Sequence, residues 1–275
     1  MDTKPSTAQQ ASDYEQHKHE YDASTFVNEP FCEVLDIEWG KIAVWTPPSV
    51  SYIGKELRVS SGSQIPVNMS DRFRILVLRD GNATISLEDE NGQMHKSIME
   101  YGVGFRIHTG QKYGVETEGE VRIIEGCEKE ANTRIDRTRF VIEGYVATDH
   151  SKPWGNEPIF SKKGDPIAMK ILHIEKDGWL SLQAHAVKVE SYYMSYGECD
   201  MVMENSSREL DEFPLIFDFG YTTKVGQRHR HKGRERMDVF EVSTPEDGST
   251  TWRIEDKYAR GDQTDEVRRQ ERGDI

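Results

Sequence analysis

Apolar and polar side chains alternate along most of this chain. In ILVLRDGNATISLEDENGQ, residues 75–93, the alternation runs on either side of Asp80-Gly81, and a second turn signal stands at Asn91-Gly92. GVGFRIHTGQKYGVETEGEVRIIEG, residues 102–126, repeats the texture, as does IAMKILHIE at 167–175. A period of two places successive side chains on opposite faces of a strand, whereas the helical period of 3.6 is hardly present between Phe26 and Val146. Short strands broken by Gly and Asn turns predict an all-β chain, a sandwich or barrel.

Three stretches depart from the pattern. Residues 1–24 are polar and almost without aliphatic side chains, which predicts a disordered tail unable to offset its ordering entropy. Around TDHSKPWGNEP two prolines and a glycine interrupt the alternation, so a domain boundary is expected just after Ala147. The highly charged residues 263–275 read as a second tail. The expected organisation is a first domain over 25–147 and a second over 148–262; 275 residues suffice for two modest cores.

Thirty-five Lys and Arg against 49 Asp and Glu give a net charge of −14, which argues against a nucleic-acid partner or an anionic membrane surface. A small anionic substrate is compatible, provided cationic side chains gather locally. The three cysteines are far apart and form no CxxC pair, which points to a reducing compartment. No apolar run approaches the roughly 18–20 residues of a membrane span, and no secretory signal order opens the chain, so a cytoplasmic protein is expected.

Candidate chemistry lies in LSLQAHAVKVE, residues 180–190. On a strand Gln183 and His185 face the same way, and Glu190 follows after a gap in which the chain can run on or turn. Such nitrogen and oxygen donors suit one divalent ion, zinc, manganese, iron or cobalt, better than a thiolate site would. A further donor is offered by VGQRHRHKG, where His229 and His231 again stand two apart, and a β-barrel can bring such distant strands to one cavity.

Taken in order, KPWG, LSLQAH with Glu190 behind it, GQRHR before MDVFEV, and RIEDKYAR resemble the cupin of type II mannose-6-phosphate isomerases, from about Lys152 to Arg260. The resemblance implies a bicupin of two jelly-roll barrels. It implies His185, Glu190 and His229 as metal ligands, with Gln183 added on strand geometry; His229 holds the Gly-x-x-His position, and His231 reads as a solvated partner in a basic turn. Lys188, where the family has an arginine, together with Arg230 and Arg260, would steer a phosphate or polarise substrate oxygens. Tyr258 belongs to the closing motif, and Tyr192, where the family favours Trp, can turn its hydroxyl to the cavity. The base is left open among Glu190, Tyr258 and a metal-bound hydroxide.

The first half then looks like a degenerate cupin. Gln64, Pro66 and Asp71 reproduce the ligand spacing, but proline cannot ligate through its side chain; Tyr113 stands near the place of the later histidine, and His108 comes too early. A packing or dimerising domain, and with it a homodimer, is expected there. The implied activity is metal-dependent aldose–ketose isomerisation of a small phosphorylated sugar, most simply mannose 6-phosphate to fructose 6-phosphate. The alternative is a non-catalytic or regulatory bicupin binding a sugar or sugar nucleotide, and a metal-dependent oxygenase comes third.

Overall fold

The computed structural model describes residues 5–146, 151–245 and 250–258. The expected boundary after Ala147, Arg260 and the expected tail at 263–275 lie outside the described residues.

The alternation closes into sheets as expected. In the first half, strands Glu33–Ile37, Gly40–Val44, Tyr52–Val59, Lys112–Glu128, Arg74–Glu88 and Met94–Ile98 form one sheet in that order, with Gln64–Met69 and Gly104–Ile107 pairing off it. Leu57, Leu76, Ile85, Ile107 and Val115 are among the side chains of its core. The second half has two sheets. One is ordered Gly220–Thr223, Glu190–Tyr196, Met237–Ser243, Ala168–Ile174, Gly155–Asn156 and Ser151–Lys152. The other is ordered Leu210–Pro214, Cys199–Glu204, His229–Gly233, Leu182–His185 and Thr251–Glu255. Between them lies a second core, with Leu172, Ile174, Tyr192 and Met194 from one sheet and Met201 and Met203 from the other.

Period-two alternation also builds the junction between the halves. Along Ala168–Ile174, Leu172 and Ile174 enter the second barrel's core, while Met169 and Ile171 turn the other way and join Tyr193, Phe240 and Val242. This outer face packs on Trp45, Tyr52, Ile75, Val77 and Ile124 of the first half, forming a third apolar cluster. Apolar side chains on both faces give the near-continuous hydrophobic runs seen in the sequence.

Two local expectations are corrected. Asp80-Gly81 is not a hairpin turn: Arg74–Glu88 runs through it as one strand, with register shifts against Lys112–Glu128 on either side of Asp80. Gly81 has φ +88°, and a Cβ there would lie 2.5 Å from the Glu120 carbonyl oxygen, so the glycine marks a bulge. Asn91-Gly92 does turn the chain between Arg74–Glu88 and Met94–Ile98.

The second correction concerns residues 1–24. Thr7–His17 forms an α-helix whose Ser6 side chain caps the Gln9 N–H. Tyr14 is fully buried; its hydroxyl donates to Glu204 Oε2 at 2.9 Å. The rings of Tyr14, His17 and Tyr21 surround Trp252. Mean polarity hid this helix because its anchoring depends on a few aromatic contacts made by distant strands.

Candidate metal centre

Gln183 and His229 are direct partners across adjacent strands, as are His185 and Thr251 on the other side. Glu190 opens the strand on the opposite sheet. The sheets thus bring together His185, Glu190 and His229, whose ligand-capable atoms all lie within 4.8 Å of one another; this is one group of its kind among the described residues. All three side chains are buried.

Glu190 is the hub. Its Oε2 stands 3.1 Å from His185 Nε2 and 3.0 Å from His229 Nε2, and accepts the Tyr192 hydroxyl at 2.5 Å. Its Oε1 takes the Lys188 ammonium at 2.6 Å, and the same ammonium reaches Glu241 Oε1 at 2.9 Å. Burial opposes ionisation of Glu190, but His185 and Lys188 outweigh it and hold the carboxyl well below its usual range. The Tyr192 hydroxyl is pushed well above its ordinary value by burial and then by the Glu190 charge, so it stays protonated and donating.

The His229 ring tests whether a cation fits. Its Nδ1 stands 3.0 Å from the backbone carbonyl of Gln227, which only accepts, so Nδ1 carries the hydrogen. In the neutral ring Nε2 is then a bare lone pair pointing at a carboxylate oxygen 3.0 Å away, and no hydrogen bond to Nε2 is formed. Two acceptors face each other, a contact that favours a cation between them. The His185 ring is fixed by the Thr251 hydroxyl, 3.0 Å from Nδ1. Burial pushes the imidazole pKa of His185 down, against the pull of Glu190, which favours the neutral form a metal requires. Two imidazoles oriented through their outer nitrogens and one ionised carboxylate fit a divalent ion of the zinc, manganese, iron or cobalt type.

Gln183 lies alongside, its Nε2 3.3 Å from His185 Nε2. A half-turn of the amide would present Oε1 instead, and Ser181 Oγ, now 3.2 Å from Oε1, can bond to either end.

The remaining sequence candidates divide. Lys188 is at the centre, fixed between two carboxylates. Arg230 is not: alternation along His229–Gly233 turns it to the opposite face from His229, where it pairs with Glu255. The Tyr258 hydroxyl accepts the Trp179 N–H at 3.3 Å. His231, expected in solvent, is fully buried, with neither ring nitrogen hydrogen-bonded and its ring edge-on to Tyr192, centroids 4.4 Å apart. Its spacing of two from His229 carried that signal.

Sequence reasoning missed Glu241, Thr251 and Arg253. Arg253 stands opposite Gln183 in register and shares its face, a pairing no local pattern reveals. In the first half the expected degenerate site is occupied by protein: Arg74, on the core-facing side of its strand with Leu76 and Leu78, donates to Tyr113 at 2.8 Å, Glu125 at 2.9 Å and Asp71 at 3.0 Å.

No family model matches the chain, and no curated protein matches it. Solved structures do. The formate complex of Lactobacillus farciminis oxalate decarboxylase matches 90% of this chain and 94% of its own, with a TM-score of 0.66 and 14% identity. Bacillus subtilis oxalate decarboxylase at pH 4.6 matches 80% and 77%, with a TM-score of 0.62 and 13% identity. A B. subtilis oxalate decarboxylase studied for its Mn(II) centres matches 84% and 80%, with a TM-score of 0.61 and 12% identity. The chain has the bicupin fold. At such identities the likeness carries the bicupin architecture alone, and these neighbours are decarboxylases rather than the isomerases that the sequence motifs resemble.

Proposed function

We propose that this bicupin is a divalent-metal-dependent enzyme acting on a small anionic substrate rich in oxygen, and that its reaction is aldose–ketose isomerisation of a sugar phosphate, mannose 6-phosphate to fructose 6-phosphate in the simplest case. The convergence of His185 Nε2, His229 Nε2 and Glu190 Oε2, with the outer nitrogen of His229 tied to a carbonyl, carries this reading. When bound, the ion would supply Lewis acidity to the carbonyl and to the negative oxygens of an ene-diolate. The resemblance of the KPWG, LSLQAH, GQRHR and RIEDKYAR motifs supports the isomerase over other metal cupins.

Within the reading, His185, His229 and Glu190 hold the ion, and the amide of Gln183 lies beside it to bond a substrate hydroxyl. Tyr192 keeps its proton and orients Glu190. A carboxyl held as low as that of Glu190 is a weak base, which counts against it as the group that takes the substrate proton. Arg253, on the same face as Gln183, replaces Arg230 as the candidate cation for phosphate.

One observation favours a second reading, a non-catalytic bicupin that binds a sugar or its nucleotide: the Lys188 ammonium already neutralises Glu190 at 2.6 Å. Metal content of the purified protein, followed by a coupled assay on mannose 6-phosphate with oxalate in parallel, separates the readings. Turnover of the hexose phosphate that disappears in His185→Ala supports isomerisation. Bound metal without turnover of either substrate supports the binding module.

A further inference from the structure

At the seam of the two halves, Arg134, Asp136 and Arg139 line a cavity of about 380 Å³ together with His108 and with Gly164 and Pro166 of the second half. His108 is only 5% exposed and lines this cavity, its ring tilted against Phe73 with centroids 5.1 Å apart. Its backbone N–H is committed, donating to Gln111 Oε1 at 3.0 Å, but no hydrogen bond reaches its ring nitrogens from the described residues. The ring nitrogens of His108 thus face the cavity and are open to a ligand or to water.

The charged groups around it are unevenly committed. Asp165 is taken by Arg106 through two bonds of 2.8 and 2.6 Å, which leaves Arg139 at 3.7 Å with a weak partner. The guanidinium of Arg134 makes no ion pair within the described residues. The carboxylates on the same wall are engaged with the backbone: Glu128 Oε2 accepts the Phe73 N–H at 2.9 Å, and Asp136 Oδ1 caps Thr138. The guanidiniums of Arg134 and Arg139 thus make no hydrogen bond to a carboxylate among the described residues.

We propose that this cavity binds a small oxyanion, a phosphate or carboxylate group, clamped by the guanidiniums of Arg139 and Arg134 and hydrogen-bonded by His108. Burial, then Arg106 and Arg139, push the His108 pKa down to about 4 against the opposing carboxylates of Asp165 and Asp136, so the imidazole is neutral and can donate one N–H to an anion. The volume accommodates the anionic group and part of the molecule that carries it. None of these residues belongs to the His185–Glu190–His229 group, and the site stands whether or not the isomerase reading does.

The test is calorimetric titration of the full chain at neutral pH and low salt with inorganic phosphate and, separately, with succinate. Saturable 1:1 binding of at least one is expected, the stronger of the two identifying the anion class. Arg139→Gln, at a half-exposed position, and His108→Phe should each weaken it about tenfold or more, while the exposed Lys96→Gln leaves it unchanged. Circular dichroism checks that each variant is folded; Arg139→Gln decides alone should His108→Phe fail that check. Absence of saturable binding by either anion, or binding equally tight in Arg139→Gln, overturns the proposal.

Discussion

Replacing Glu190 by Gln separates the metal-centre reading from a purely structural ion network. The substitution keeps the shape and removes one charge from a point where His185, His229, Tyr192 and Lys188 all converge. A divalent ion at about 100 times its dissociation constant stabilises a native protein by about 2.7 kcal/mol. For a chain of this size that is an increase of about 5–10 °C in Tm. Loss of the anionic ligand, at a cost of about 100-fold or more in affinity, brings the same metal concentration to about its dissociation constant, where the increment falls to about 0.4 kcal/mol and below about 2 °C. Without metal the variant should also lose about 3–5 kcal/mol, because the buried Lys188 ammonium loses the charge of the carboxylate 2.6 Å away. Thermal unfolding of wild type and Glu190→Gln, each with chelator and with manganese or zinc, reads both effects. An equal metal increment in the two proteins would refute the assignment of Glu190 as a ligand, and equal stability under chelator would refute its role as the hub.

Other outcomes follow from the same structure. Glu157 is drawn down to about 2 by Lys170 and Lys152 against the opposing effect of burial; its folded pKa is depressed, so its contribution, about 3 kcal/mol, is present above the unfolded value near 4.5 and lost as pH falls towards 2. Acid titration of stability should show this loss in wild type and a flatter limb in Glu157→Gln. Tyr14→Ala removes a fully buried ring and the hydroxyl bonded to Glu204, and denaturant unfolding should report a loss of about 3–5 kcal/mol, whereas a disordered N-terminus would give none. Gly81→Ala forces a side chain into a left-handed conformation against the Glu120 carbonyl and should destabilise by more than about 1 kcal/mol. Arg230→Gln, on the outer face, should leave metal affinity within about twofold of wild type by titration, and a large loss would contradict its orientation.

What could be read from the chain follows the range of the interactions involved. Alternation is a local property, so the strands and the shared face of Gln183 and His185 were legible directly, and ordered motifs linked His229 to them. Register is not local. It sets Thr251 against His185 and Arg253 against Gln183, neither of which follows from a span of a few residues, whereas the turn of Arg230 away from His229 follows from alternation alone. Gly81 shows the same limit in another form: Asp-Gly between two alternating runs fits a two-residue hairpin and a bulge equally well, and only the position of Lys112–Glu128 beside it selects the bulge. The N-terminal helix lies at the far end of this scale, since Tyr14 finds its partners 190 and 212 residues away.

The charges inside the second barrel bear on what the centre would accept. From the seam inward, Glu157, Lys170, Glu241, Lys188 and Glu190 alternate in sign, joined at 2.8, 3.3, 2.9 and 2.6 Å. Lys152 also reaches Glu157 at 3.3 Å, so the outer end of the row is paired on both sides, while at the inner end Lys188 stands between Glu241 and Glu190. A buried charge persists only when compensated, and Lys188 compensates Glu190 through Oε1 while Oε2 stays turned to His185 and His229. Under the metal-centre reading, a divalent ion taken up at Oε2 would add positive charge to groups already paired, and a positive centre in a low-dielectric barrel would favour an anion over a neutral sugar. Lys188 would then do something other than block the metal: by holding Glu190 paired, it would leave the charge of the ion to a phosphorylated sugar or an ene-diolate, in a protein whose overall charge of −14 would otherwise repel it.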